Sequence, residues 1–180
     1  MILKLVTKPV MAVIAAVLCL AVAGSLYWFQ PWRLVTDTTV TESLSSVPSS
    51  RPGASADPGR PASDAVVVAE GSFVSHEHET RGTARLVRRA DGGHQLELVG
   101  LVTSDGPDLR VWLTDQPVAP GGAGWRAFDD GKHVELGRLK GNRGNQVYPL
   151  EAGVDLDHVR SVTIWCSRFS VSFGAAALVA

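Results

Sequence analysis

The chain has 180 residues, enough for one domain with appendages, and a formal net charge of −1. From Val66 onward it carries no basic excess, which excludes general phosphate-backbone binding and leaves no nucleic acid among the expected partners. Hydrophobic residues at 45% and charged residues at 19% fit a globular domain with an apolar segment added.

Residues 1–8, with Lys4 and Lys8, read as a cytoplasmic N-terminus, and 9–32 as a transmembrane helix or signal anchor. Pro9 to Phe29 contains no charge, and about 20 apolar helical residues cross a hydrocarbon core of ~30 Å. Tyr27, Trp28 and Trp32 cluster at the far end, where amphipathic rings favour the interface. The lysines precede the span, so the positive-inside bias puts everything after Arg33 outside the cytoplasm. The rival is a cleaved signal peptide with Ala21-Val-Ala23 as its processing site. Cleavage there would leave Leu26-Tyr-Trp-Phe29 exposed, which disfavours it. Residues 33–65 are rich in Ser, Thr, Pro, Gly and Ala without apolar periodicity. They read as a disordered linker, since they cannot bury enough surface to offset their ordering entropy.

Residues 66–180 form the domain, and its pattern is β throughout. Val66–Val74 opens it. Thr83–Arg89 and His94–Val99 flank an Asp91-Gly92 turn, the signal of a hairpin. Leu109–Thr114 alternates with Leu109, Val111 and Leu113 on one face. Val134–Leu139, Gln146–Leu150 and Ser161–Phe173 follow. Seven to eight short strands with frequent turns predict an all-β fold, an antiparallel β-sandwich or small barrel.

The last stretch changes phase. Val162, Ile164 and Cys166 share one parity, whereas Phe169, Val171 and Phe173 have the other. One regular strand cannot bury both sets on one face, so a bulge, a tight corner or a change of sheet falls at Cys166–Arg168. Cys166 is the one cysteine outside the apolar N-terminal segment, where Cys19 lies beyond its reach. Two readings stand side by side: a small buried hydrophobe, or a functional thiol or ligand, because an unpaired cysteine in an exported domain is exposed to oxidation. Arg168, two residues on, would favour a thiolate if it shared the Cys166 face.

Gly71-Ser-Phe, His78-Glu-Thr-Arg-Gly-Thr-Ala84, Pro107-Asp-Leu-Arg-Val-Trp-Leu113, Leu136-Gly-Arg-Leu-Lys-Gly-Asn142 and Ser161–Phe173 together resemble the motifs of the DM13 domain family. The resemblance spans Gly71 to Leu178 in a single copy. It implies a β-sandwich outside the cytoplasm whose characteristic cysteine falls on Cys166, used as a bare redox thiol or as ligand to a group such as haem. In animals such domains accompany DOMON domains in presumed electron-transfer chains. This chain has no second redox domain, so a redox or envelope protein partner must come in trans. The implied role is electron transfer or binding rather than stand-alone catalysis.

The densest ligand cluster is His76-Glu-His78-Glu79. On a strand the two imidazoles would share one face and suit one copper or zinc ion; the alternative is a solvated strand end. His94, His133 and His158 are isolated and read as surface or turn residues. Met1 and Met11 belong to the apolar segment, so any second haem ligand would be a histidine. Trp112, Trp125 and Trp165 are either core or a sugar-binding face, which leaves a carbohydrate- or protein-binding module, with Cys166 only structural, as the alternative function.

Overall fold

The computed structural model describes residues 2–46 and 65–180. Helix α1 spans Ile2–Phe29, and nine strands follow: β1 Thr39–Thr41, β2 Val66–Ser75, β3 Arg81–Arg88, β4 His94–Val102, β5 Leu109–Thr114, β6 His133–Arg138, β7 Arg143–Pro149, β8 Ser161–Cys166 and β9 Val171–Ala177. Among the described residues, α1 provides the one helix long and apolar enough to cross a membrane. Its span, Lys8–Arg33, has a mean hydropathy of 2.4, and none of the residues in its apolar window is buried in the fold.

The strands form one mixed sheet in the order β1-β7-β4-β3-β2-β9-β8-β5-β6. The all-β expectation holds, and β2 to β9 supply the eight strands of the domain. Of the two architectures expected, the molecule follows the barrel-like one: a single sheet curls on itself instead of two sheets stacking. The curl turns on β2, which pairs with β3 through Val66–Ser72 and with β9 through Phe73–Ser75. Its concave face holds the main core, where Leu96 and Leu98 of β4 meet Leu109, Val111 and Leu113 of β5 and Val162 and Ile164 of β8. The alternation foreseen for β5 therefore places its odd residues in the core. The Asp91-Gly92 turn closes the β3–β4 hairpin, with Arg89 N donating to Gly93 O at 2.8 Å and Gly92 at φ 81°.

The phase change in the last stretch is a tight corner. β8 ends at Cys166, residues 167–170 turn, and β9 returns antiparallel with Val171 opposite Cys166. Phe173 shares the parity of Val171 and so the core face, and a register shift between Ile164 and Trp165 then turns Ala176, opposite Val162, into the core as well.

The stretch read as linker, 33–65, divides. Residues 47–64 lie outside the described residues, but 33–46 are laid along the sheet. β1 pairs in parallel with β7, register Thr39 to Arg143, and covers what would otherwise be an open sheet edge. Side chains fix it at three points. Asp37 accepts from Asn142 Nδ2 at 2.8 Å and lies 3.0 Å from Arg143 Nε. Glu42 accepts from Lys140 Nζ at 2.8 Å and from the Val147 amide at 2.6 Å. The Ser45 amide donates to Glu97 Oε1 at 2.7 Å. Gly144, at φ 97°, lets β1 lie this close, because a Cβ there would run into Val40 O. Composition missed this strand because its anchors are charged side chains of the domain, not an apolar periodicity of its own.

Glu97 is fully enclosed, yet it is charged. Burial works to raise its carboxyl, but donations from Ser45, Arg85 and Gln95 outweigh that and hold it below the ordinary 4.5. Arg85 Nη2 lies 2.5 Å from Oε2 and Gln95 Nε2 lies 2.9 Å from Oε1. Glu97→Gln should cost about 3 kcal/mol in chemical denaturation, the order of a buried pair losing one partner. The folded-state value lies below the unfolded one, so this stability is complete above pH 4.5 and is lost as pH falls through the lowered value. The variant should accordingly lose less stability on acidification than the wild type. Equal losses in the two proteins would remove the carboxylate from the account.

Candidate functional site

Cys166 closes β8, and its position is set by the hairpin. Its side chain has the core parity of Val162 and Ile164, and the turn folds over the strand end, so the thiol is fully buried within the main core. Burial pushes the thiol up from 9.0; the amides of Phe169, Arg168 and Asp108 oppose this without reversing it, and the nearby Glu77 charge adds to the rise. At neutral pH the sulfur therefore carries its proton.

Arg168 does not serve the thiol. Its Nη1 donates to Trp28 O at 3.0 Å and Tyr27 O at 3.3 Å, the last carbonyls of α1, and its guanidinium lies 5.3 Å from the Trp28 ring. Beside it, Phe169 stacks on Phe29 with centroids 5.8 Å apart. The corner that encloses Cys166 is thus clamped to the end of the helix. Free carbonyls at a helix C-terminus attract a cation, and this accounts for where the guanidinium goes.

The histidine pair is split. β2 ends at Ser75 and the chain bends at 76–78, so the strand alternation that would align the two rings is lost. His76 is buried, with Nδ1 2.7 Å from Ser172 Oγ and Nε2 3.0 Å from Ala119 O. A carbonyl only accepts, so Nε2 carries the hydrogen and Nδ1 accepts from Ser172. Burial holds His76 below 6.5, against the opposing pull of the Ala119 carbonyl, and the ring is neutral at pH 7. His78 instead lies against the Phe173 ring, centroids 3.9 Å apart. The two imidazoles therefore sit in different surroundings, His76 with both ring nitrogens on protein partners and His78 against an aromatic ring. Among the described residues, no group of three His, Cys, Asp or Glu side chains is arranged to hold a metal.

On the convex face, Trp112 and Trp165 stack at 4.9 Å and pack with Phe128 and Ala175. The loop 115–132 covers them. It is pinned by Ser172 N donating to Trp125 O at 2.7 Å and by His76 reaching Ala119 O. Gly124 permits this approach, since a Cβ there would meet both Ala119 O and His76 Nε2. Trp112 and Trp165 are therefore core, while Trp125 stays 39% exposed.

Strand pairing also assembles a groove that sequence spacing conceals. Thr114, the end of β5, has His133 opposite it on one side and Ser161 on the other. This brings Lys132 and His133 beside Asp155, His158 and Arg160 around a cavity of about 620 Å³. His133 stacks on Trp112 at 3.8 Å, and His158 Nε2 lies 3.6 Å from Asp155 Oδ2. His133 and His158 read as isolated because nothing in a linear pattern reports two strands flanking a third. The groove and Cys166 lie at opposite ends of the strands, since Leu109 pairs with Cys166 and Thr114 with Ser161.

A family model described as electron transfer DM13 matches residues 72–178. Searches among curated proteins and among solved structures returned no match.

Two predictions follow from the packing. In a Cys19→Ser chain, Cys166 should resist thiol reagents at pH 8 until the domain is unfolded, and Cys166→Ala should cost about 1 kcal/mol, as for deleting one buried methylene-sized group. Rapid modification of the native protein would contradict the enclosure. Gly124→Ala should detach the loop 115–132, destabilising the fold by about 2 kcal/mol and opening Trp112 to acrylamide quenching. Ala123→Ser, at the exposed neighbouring position, should leave quenching unchanged.

Proposed function

The chain belongs to the DM13 family, and from that premise we propose a membrane-anchored, extracytoplasmic electron-transfer domain whose redox group is the Cys166 thiol. The observation that carries this reading is the enclosed cysteine at the end of β8, the one free thiol among the described residues of the domain, within a match described as electron transfer. The apolar span of α1 supports the anchor, and Lys8 ahead of it supports a cytoplasmic N-terminus.

The geometry limits the chemistry. A reagent must touch the sulfur, whereas an electron need not, so enclosure disfavours disulfide exchange and leaves electron exchange across packed protein. Because burial keeps the thiol protonated, loss of one electron also loses the proton, which passes to solvent and leaves a neutral thiyl radical. The electron goes to a one-electron carrier in trans.

A haem or metal ion ligated by Cys166 does not fit the residues as packed. The sulfur has no exposed surface, and the cavity of about 620 Å³ is lined by other residues. His76, the buried histidine, uses both ring nitrogens on protein partners. Copper or zinc between His76 and His78 is disfavoured for the same reason.

The groove beside Thr114, where Lys132, Asp155 and Arg160 meet apolar lining, favours a second reading, in which the domain is a binding module for a carbohydrate or an envelope protein and Cys166 only fills the core. Voltammetry of the full chain in supported bilayers separates the two. The redox reading expects a current wave that follows pH with one proton per electron and disappears in Cys166→Ser. A wave that survives in that variant, or no wave in the wild type, would overturn it in favour of the binding module. Labelling Ala90→Cys in intact spheroplasts with a membrane-impermeant maleimide tests the side of the membrane, and protection from the reagent would reverse the orientation.

A further inference from the structure

Between the end of α1 and the start of β1 the chain never leaves the domain. Arg168 closes on the Tyr27 and Trp28 carbonyls, and Phe169 stacks on Phe29. Gln30 turns at φ 44°, and a single 3-10 segment, Pro31–Val35, follows. Within it Arg33 Nη1 reaches Asp105 Oδ2 at 3.2 Å and Gly106 O at 3.3 Å, while Nε donates to Gln30 Oε1 at 2.7 Å. The Thr36 hydroxyl is 3.1 Å from the same Asp105 carboxylate, and the Thr38 amide donates to Asn142 Oδ1 at 2.7 Å. β1 then pairs with β7. A free tether would be solvated here; this segment instead has a protein partner at nearly every step.

The same end of the molecule carries an apolar surface. Trp28, Phe29, Trp32 and Val35 are 53%, 60%, 49% and 85% exposed around the junction. Large exposed apolar side chains grouped in this way mark a contact surface. Aromatic rings at the end of an apolar span are those that settle at the membrane–water interface. The strand register puts several turns at this end: 76–80, the loop 103–108, 139–142 and the corner 167–170.

We propose that this end of the domain rests on the lipid surface, with the corner 167–170 at headgroup level, held there by the Arg168–Phe169 clamp and by β1. The partner is the bilayer itself, met by the aromatic collar of Trp28, Phe29 and Trp32. The inference rests on the reading of α1 as a membrane anchor. Each leaflet's headgroup layer is only about 5–8 Å thick. A guanidinium bonded to the last carbonyls of the spanning helix lies within it. The groove at the other end of the strands then faces away from the membrane, toward soluble partners.

The test uses the full chain with Cys19→Ser, reconstituted in phosphatidylcholine vesicles. A fluorophore is placed on Ser167→Cys, at the corner, or on Ala90→Cys, at the opposite hairpin; the parent without an added cysteine serves as the blank. Lipid bearing a nitroxide on its headgroup should quench the label at 167 at least twofold more than the label at 90. Adding Phe29→Ala and Arg168→Ala should lower the quenching at 167 toward that at 90. Equal quenching at the two positions in protein that floats with the vesicles would overturn the apposed orientation and leave the anchor intact. Unchanged quenching at 167 in the Phe29/Arg168 double variant would overturn the clamp. Protein that fails to float with the vesicles would overturn the anchor reading, and this inference with it.

Discussion

Every residue of β8, Ser161 to Cys166, is buried. Side chains alternate across a strand, so such a strand demands cover on both of its faces. The concave face is covered by the curl of the sheet, which brings β4 over Val162, Ile164 and Cys166. The convex face has no second sheet, and the loop 115–132 does the work instead, lying over Trp112 and Trp165 with Phe128 as its plug. That loop is irregular backbone and must find partners for its polar groups. It finds them in His76 and Ser172. The buried Ser172–His76 contact, which in isolation resembles part of a hydrolytic dyad, is thus explained as the fastening of a cover. Thr163 Oγ1, 2.8 Å from Ser172 Oγ, continues the same network beneath Trp165.

The other edge of the molecule is held by different physics. The attachment of β1 uses little apolar burial and depends on carboxylates: Asp37, Glu42 and Glu97 all lie below their ordinary values. For Asp37 the cause is the Arg143 and Asn142 side chains, and for Glu42 it is Lys140 and the Val147 amide. Glu97 is the exception in degree, since it alone is enclosed and its charge must be fully solvated by protein. Exposed pairs contribute little singly, but these sit on a strand whose backbone is already paired, so they set register more than they add strength.

Much of the fold was legible from residues alone because period and turn chemistry act locally. Leu109, Val111 and Leu113 announced β5, Asp91-Gly92 announced a hairpin, and the parity change after Cys166 announced a corner. The candidate site was legible only in part. Cys166 could be singled out, but its burial depends on a turn clamped by Tyr27 and Trp28, far away in sequence. Arg168 stands two residues from the thiol, yet it serves carbonyls of the helix. His76 and His78 suggested a shared face because strand alternation was extended past Ser75, where the chain in fact bends. β1 was illegible for a plainer reason: three residues of Thr and Val among polar neighbours carry no signal until the edge of β7 is known.

The position of β1 also separates two routes through the molecule that a simple tether would combine. The covalent route from α1 to the domain runs through residues 47–64 to β2. The mechanical route runs through Arg168, Asp105, Asn142 and β7, all reached before residue 47. A single proteolytic cut between residues 47 and 64 would therefore not free the domain from α1. It would turn an intramolecular docking into a bimolecular equilibrium. The severed domain would then part from α1 only as fast as the Arg168 clamp, a strand and three carboxylate anchors let go. Their association would be timed by dissociation, and shortened by acid, instead of being ended by the cut.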